Sequence, residues 1–355
     1  MKAKALQFGK AMSAALFVLL LVVAGMKNAL AQNLVATLQH GDSISMFYGS
    51  NAFAQAHSAA QTGDIITLSS GSFASCTITK AITLRGAGCC MDTVTGINPT
   101  IFSSSINLNV PDEVHPLTIE GIWFKNCIYN LLYNPRFIKC NFTNFDHSDN
   151  SSQMQNAQFV DCMVYLNYYS LANSYNNIVY ATNTQFINCY VNTDAYTYVS
   201  GTNVSFLNSI VQFRSSSASP EFMATNSIFY VNQYGPHALY GSAALLNNCV
   251  SIKLNYFFDN QSNTNLAVYS FGDVFETYNG GSIDFNNSIF ERFVLKSDFA
   301  ASFLGNDGTE VGIHGGQAPY SARPNYMVLK QCNVATQSTI DNKLSVEIQV
   351  VSEGE

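Results

Sequence analysis

One short pattern of apolar and polar positions keeps returning along this chain: Phe, any residue, Asn or Asp, Cys or Ser, any residue, apolar. It reads FKNCIY at 124–129, FIKCNF at 137–142, FVDCMV at 159–164, FINCYV at 186–191 and FLNSIV at 206–211. It continues, with departures from the consensus, as ATNSIF at 224–229, LNNCVS at 246–251 and FNNSIF at 285–290. The Cys/Ser position falls at Cys140, Cys162, Cys189, Ser209, Ser227 and Cys249, separated by 22, 27, 20, 18 and 22 residues. A period near 22 residues, rich in β-formers and asparagine, is that of a coil in a parallel β-helix. A leucine-rich repeat would need a recurring leucine framework, and a propeller about twice the period.

Side chains alternate across a strand. In FINCYV this puts Ile187, Cys189 and Val191 on one face and Asn188 and Tyr190 on the other. The same register groups Val160 with Cys162 and Val164, and Leu207 with Ser209 and Val211. The small Cys/Ser is therefore expected inside, forming a column along the axis at a coil spacing of ~4.8 Å. Asparagine just before it tolerates the left-handed conformation and suits a turn or the outer side of each coil. Nine cysteines are then packing residues, with a bridge between neighbouring coils geometrically allowed and the adjacent Cys89 and Cys90 the first to consider for oxidation. No CxxC spacing and no nearby histidine point to a metal site.

The ends differ from the middle. Lys2, Lys4 and Lys10 precede an apolar run from Ala14 to Ala24 and then Ala29-Leu30-Ala31, the pattern of a secretory leader cleaved after Ala31. The run is shorter than the ~20 residues a spanning helix needs, and no later stretch is apolar enough to span. Phe53, Ala54, Ala56 and Ala60 share one helical face within NAFAQAHSAAQ, which predicts a helical cap on the first coil. The segment from Asn306 is Gly-rich and then reads as two strands, 327–334 and 343–351, around a polar turn. The expected architecture is all-β: a single-stranded right-handed parallel β-helix of roughly ten coils with an N-terminal helical cap and a C-terminal β cap. Its parts are a leader at 1–31, the β-helix with its first cap at 32–305, and a capping segment at 306–355.

A short amphipathic helix followed by Gly63-Asp64-Ile65-Ile66-Thr67-Leu68, then Gly71-Ser72-Phe73, then Ile82-Thr83-Leu84-Arg85-Gly86-Ala87-Gly88, resembles the start of the pectin-lyase-like superfamily. Together with the repeat, the resemblance covers most of 45–292. It implies the right-handed β-helix fold, and it also resembles bacterial exported β-helix proteins of unassigned function. It leaves activity open, because that fold hosts lyases, hydrolases, epimerases, adhesins and inert stalks.

Charge and chemistry narrow the classes. The chain carries 16 basic and 23 acidic residues. Removing the leader takes four lysines, giving 12 − 23 = −11, and an acidic surface argues against nucleic acid and anionic membranes. A calcium-dependent lyase would need several converging carboxylates, since calcium takes ~6–8 oxygens, with an arginine beside them. Arg85, Arg136, Arg214, Arg292 and Arg323 have no such cluster one coil away, and Asp146 with Asp149 reads as a solvated acidic turn. A polygalacturonase-like site would need two carboxyl groups across the scissile bond, ~6.5–9.5 Å apart. Asn192-Thr193-Asp194 and Gly312-Ile313-His314-Gly315-Gly316 match fragments of that family's pattern, but the paired aspartate and Arg-x-Lys are missing. No catalytic residue, metal site or cofactor is assigned. Residues 165–198 are rich in tyrosine, and Tyr165, Tyr168, Tyr169, Tyr190, Tyr196 and Tyr198 form the candidate ligand surface, because exposed tyrosines stack on sugar rings and donate hydrogen bonds. The expected function is a secreted or surface-displayed, non-catalytic β-helix that binds or adheres to a polysaccharide or surface protein. A polysaccharide lyase or glycoside hydrolase and a structural spacer are the alternatives.

Overall fold

The structure is a computed structural model that describes residues 34–92, 96–148, 151–166, 181–193, 203–213, 222–231, 245–252, 264–268, 270–280, 292–321, 327–334 and 346–352. The leader, Tyr168, Tyr169, Tyr196, Tyr198, Asp149 and Asp194 lie outside the described residues.

The chain is a parallel β-solenoid of about six turns. That is fewer than the roughly ten coils expected from the period: the first strands go into an antiparallel cap, and Thr264–Val268 is the last strand of the ladder among the described residues. The described strands of the solenoid fall on three faces. On the first, Gln158–Val160 pairs in parallel with Arg136–Ile138 on one side and Gln185–Ile187 on the other. On the second, Tyr190–Thr193 lies between Met163–Leu166 and Ile210–Phe213. The third is built by the later parts of Thr100–Val110 and Ile122–Tyr133 and by Gln153–Gln155.

The corner between the first and second faces explains the repeat. Lys139, Asp161, Asn188, Asn208, Asn226 and Asn248 all have φ between 46° and 54°. A left-handed residue is costly for most L side chains and least so for Asn and Asp, so the repeat keeps an amide or carboxylate at each of these corners except Lys139. This residue breaks the alternation. Phe186, Cys189 and Val191 point inward and are fully buried, while Ile187 is half-exposed. Phe159 and Phe206, not Val160 and Leu207, likewise fill the core. The strict period-2 register therefore placed the first inward residue one position too late; the turn resets it.

Inside, the first-face phenylalanines stack rung on rung. Phe137–Phe159 and Phe159–Phe186 centroids are each 4.8 Å apart, and Phe186–Phe206 are 5.2 Å apart. The Cys/Ser column has a second task. Cys140 N–H donates to Cys162 Sγ and Cys162 N–H to Cys189 Sγ, each at 3.4 Å. Cys189 N–H donates to Ser209 Oγ (3.2 Å), and Ser209 N–H to Ser227 Oγ (3.1 Å). The left-handed corner turns these amides away from the sheet ladder, and the next rung's sulfur or hydroxyl accepts them. Cys and Ser interchange because both are small and both can accept. Cys76, Cys89, Cys90, Cys127, Cys140, Cys162, Cys189 and Cys249 are free thiols; Cys89 Sγ and Cys90 Sγ sit 3.7 Å apart.

A second left-handed column, Asn134, Asn156, Asn183 and Asn203, marks the corner before the first face. The side-chain amides of Asn156, Asn183 and Asn203 each donate to the preceding rung's Oδ1 at 2.9 Å, and Asn134 Nδ2 starts the column by donating to the Glu113 carbonyl at 2.8 Å. At one further corner Gly86 has no alternative, since a Cβ there would collide with the Gly121 carbonyl oxygen.

The first end is capped as the pattern predicts. Helix Ala52–Ala59 buries Ala52, Phe53 and Ala56, with Phe53 edge-on to Phe102 at 5.0 Å. Lys80 Nζ closes its C-terminus, donating to the carbonyls of His57, Ser58 and Ala60 at 2.7–2.9 Å, where a cation also meets the negative end of the helix dipole. Strands Val35–His40 and Ser43–Tyr48 form an antiparallel hairpin that extends the first face through Ile65–Leu68. Strands 327–334 and 346–352 pair antiparallel, and no described helix is long and apolar enough to cross a membrane.

Candidate functional site

The two described members of the tyrosine surface lie on the outer side of the second face. Tyr165 is half-buried, and its register partners on later rungs are Asn192, Gln212 and Tyr230. Tyr190 belongs to the neighbouring row with Met163, Ile210 and Ile228. This row is not open. Residues 271–280 and 292–321, including short helices Phe271–Val274 and Ser297–Ser302, lie along the flank and form a second apolar core with it. Tyr190 stacks on Phe293 at 5.3 Å and is fully buried. As a sugar-stacking residue Tyr190 is therefore corrected: the covering segment has taken the position a ligand would need.

The hydroxyls of Tyr190, Tyr230 and Tyr278 under this cover are satisfied internally, whereas the buried Tyr320 hydroxyl has no hydrogen-bond partner among the described residues. Gln212 Oε1 accepts from Tyr190 OH at 2.6 Å and from Tyr230 OH at 2.9 Å, and Tyr278 OH donates to Tyr230 OH at 3.1 Å. Burial pushes all three phenols above their ordinary pKa, so they are neutral donors and not bases. Nothing in the local sequence signals this cover, because its apolar residues carry no repeat.

The same segment is gripped along the left-handed corner. Asn188 Nδ2 donates to the carbonyls of Gly315 (2.8 Å) and Ile313 (3.3 Å). Asn226 and Asn306 exchange hydrogen bonds at 3.0 Å, and Gly312 N–H donates to the Asn226 carbonyl. At two successive rungs the amides give way to Lys139 and Asp161, both buried. Burial pushes the Asp161 carboxyl up to about 7, with Lys139 acting in the opposite direction. Asp161 and Tyr320 form a covered polar corner near Cys89 and Cys90, closed to any large substrate. His314 is in this covering segment and has no aspartate pair beside it among the described residues.

Elsewhere the acid–base contacts among the described residues include His40–Asp64 (2.7 Å), Arg85–Glu120 (3.6 Å), His115–Asp112 (3.0 Å) and His147–Asp146 (3.0 Å). No three His, Cys, Asp or Glu among the described residues converge as a metal site would require. Trp123 packs at the surface of the coil, with its indole N–H on Thr143 Oγ1 and the Lys125 ammonium 3.3 Å over its ring.

The open surface is the outer side of the first face. One row runs Thr83, Thr118, Arg136, Gln158, Gln185, Ser205 in register, and Gln158 Nε2 donates to Gln185 Oε1 at 3.3 Å. The row two residues on holds Ile138, Val160, Ile187 and Leu207, half-exposed to exposed. The alternation reset displaced these aliphatics from the core to the surface, which is why the sequence reading overlooked this face. No family profile matches the chain, and no curated protein matches it in sequence.

Proposed function

We propose that this chain is an exported or surface-displayed, non-catalytic β-helix of the pectin-lyase-like kind that binds an extended glycan along its first face. The observation that supports this is the paired rows on the open face. A sugar ring presents hydroxyl edges and apolar C–H faces, and a row of amides and hydroxyls beside an aliphatic strip offers a partner to each. Rungs repeat every ~4.8 Å, so contacts recur along the axis, and many weak contacts add when a polymer spans them. Export rests on the leader pattern at 1–31.

The test is binding of a polysaccharide panel by the purified chain, followed by affinity electrophoresis and calorimetry, with Gln158→Ala/Gln185→Ala as the variant. Retention of at least one polysaccharide, lost in the variant with its far-UV circular dichroism unchanged, is expected. New chain ends in the same incubations, above a heat-denatured control, would establish the lyase or hydrolase reading instead. No retention and no turnover would leave the spacer.

A further inference from the structure

The hairpin strand Ser43–Tyr48 ends the first-face sheet. Val35–His40 pairs with it on one side and with Ile65–Leu68 on the other, and Ser43–Tyr48 has no second strand partner among the described residues. Sheet-edge strands are usually blunted by charge, proline or a bulge, because their free N–H and C=O groups template pairing. SISMFY carries none of these. Its alternate residues Ile44, Met46 and Tyr48 are 68, 53 and 60 % exposed, on the side opposite Phe47, which packs on the core.

We propose that this edge is a homodimer contact, in which Ser43–Tyr48 of one copy pairs antiparallel with the same strand of a second copy about a two-fold axis through Met46. Opposite residues of an antiparallel pair share a face, so the pairing must be centred on a residue. Centring on Met46 sets Ile44 against Tyr48, Met46 against Met46 and Tyr48 against Ile44. All the exposed apolar side chains then form one continuous patch, and Ser45 faces Phe47 on the other side. A second copy fits better than an unrelated partner for two reasons. The patch is self-complementary, as an isologous contact requires. It is also an uncharged strand on a chain of net charge −7, so two like-charged molecules can meet there without setting charge against charge. One strand edge is small beside the ~1,200–2,000 Å² of a standard stable interface, which makes the dimer concentration-dependent. It would join two solenoids end to end through one sheet.

Sedimentation velocity across a concentration series tests this on the chain purified in the form its producing cells leave it. The native chain is expected to shift from monomer to dimer. Met46→Lys, which sets two ammonium groups opposite each other at an exposed site, is expected to weaken self-association by more than about tenfold with an unchanged circular dichroism spectrum. In a Cys76→Ser background, Met46→Cys is expected to give a disulfide-linked dimer on mild oxidation, since only the residue on the axis meets itself. A native chain that stays monomeric throughout overturns the proposal. So does a dimer that Met46→Lys leaves intact, or one that Met46→Cys fails to cross-link.

Discussion

Ser209→Ala is expected to destabilise the chain by about 1–3 kcal/mol, the cost of a buried donor left without its acceptor. The atom lost is the Oγ that accepts from Cys189 N–H at 3.2 Å; both residues are fully buried, so water cannot replace it. The same hydroxyl donates to the carbonyls of Leu207 (2.9 Å) and Phe186 (3.2 Å), and these contacts go with it, while alanine leaves only the volume of one oxygen. Ser209→Cys keeps an acceptor in the geometry already used at Cys140, Cys162 and Cys189, and is expected to stay within about 1.5 kcal/mol of the native chain, as a near-isosteric swap does. The contrast separates two accounts of the column. If the position wanted only a small side chain, alanine would serve as well as serine. Global unfolding of a repeat array need not be two-state, so the direct assay is native-state hydrogen exchange at the Cys189 amide, supported by the urea midpoint. A loss of this size speeds exchange roughly 5- to 150-fold. A Ser209→Ala chain whose Cys189 amide exchanges at the native rate would refute the ladder.

Asn183→Ala should cost about 1–2 kcal/mol, because it sets a Cβ-bearing residue without local hydrogen bonding in the left-handed region; Asn183→Gly should be milder, and thermal melts of the pair decide. Asp161 has a folded pKa near 7 against an ordinary value near 4. The native state thus holds a proton that the unfolded chain has lost, so stability should fall as pH rises from about 4 to 7. Melting temperatures of native and Asp161→Asn chains across that window test this, and an equal slope in both would sink it. Lys80→Met removes three charge-assisted bonds to the helix C-terminus and should lower stability by about 2 kcal/mol or more, read as earlier loss of the cap helix in hydrogen exchange.

The solenoid was legible because its period is carried by residues that each coil needs for a local reason. Phe fills the core, Asn turns the corner, and Cys or Ser accepts the amide the corner releases. The inward direction of the first apolar residue was not legible from alternation. Period-2 reasoning assumes one continuous strand, and a left-handed residue inside the motif makes it two. The cover over the second face was out of reach for a different reason. Asn188 meets Ile313 and Gly315 across 125 and 127 residues, and apolar residues such as Phe271, Tyr278 and Phe293 recur with no period. Of the tyrosines marked by that enrichment, Tyr190 belongs to an internal hydrogen-bonded layer, while Tyr168, Tyr169, Tyr196 and Tyr198 lie outside the described residues.

Solenoids ordinarily behave as one-dimensional chains in which each coil senses only its neighbours and the ends fray coil by coil. The segment 305–321 changes that rule. It runs lengthwise along the left-handed corner and is tied at Asn226 and again at Asn188, while its apolar side chains pack on rows from Met163 to Ile228. No single coil in that stretch can open without loosening the shared splint, so the middle of the rod should unfold as one block. The coils before Arg136 join that segment through the apolar cluster that includes Cys89 and Cys90 and keep more freedom to yield in turn. The rod thus has a stiff, all-or-none half and a graded half, with the boundary set by where the chain doubles back along its own side.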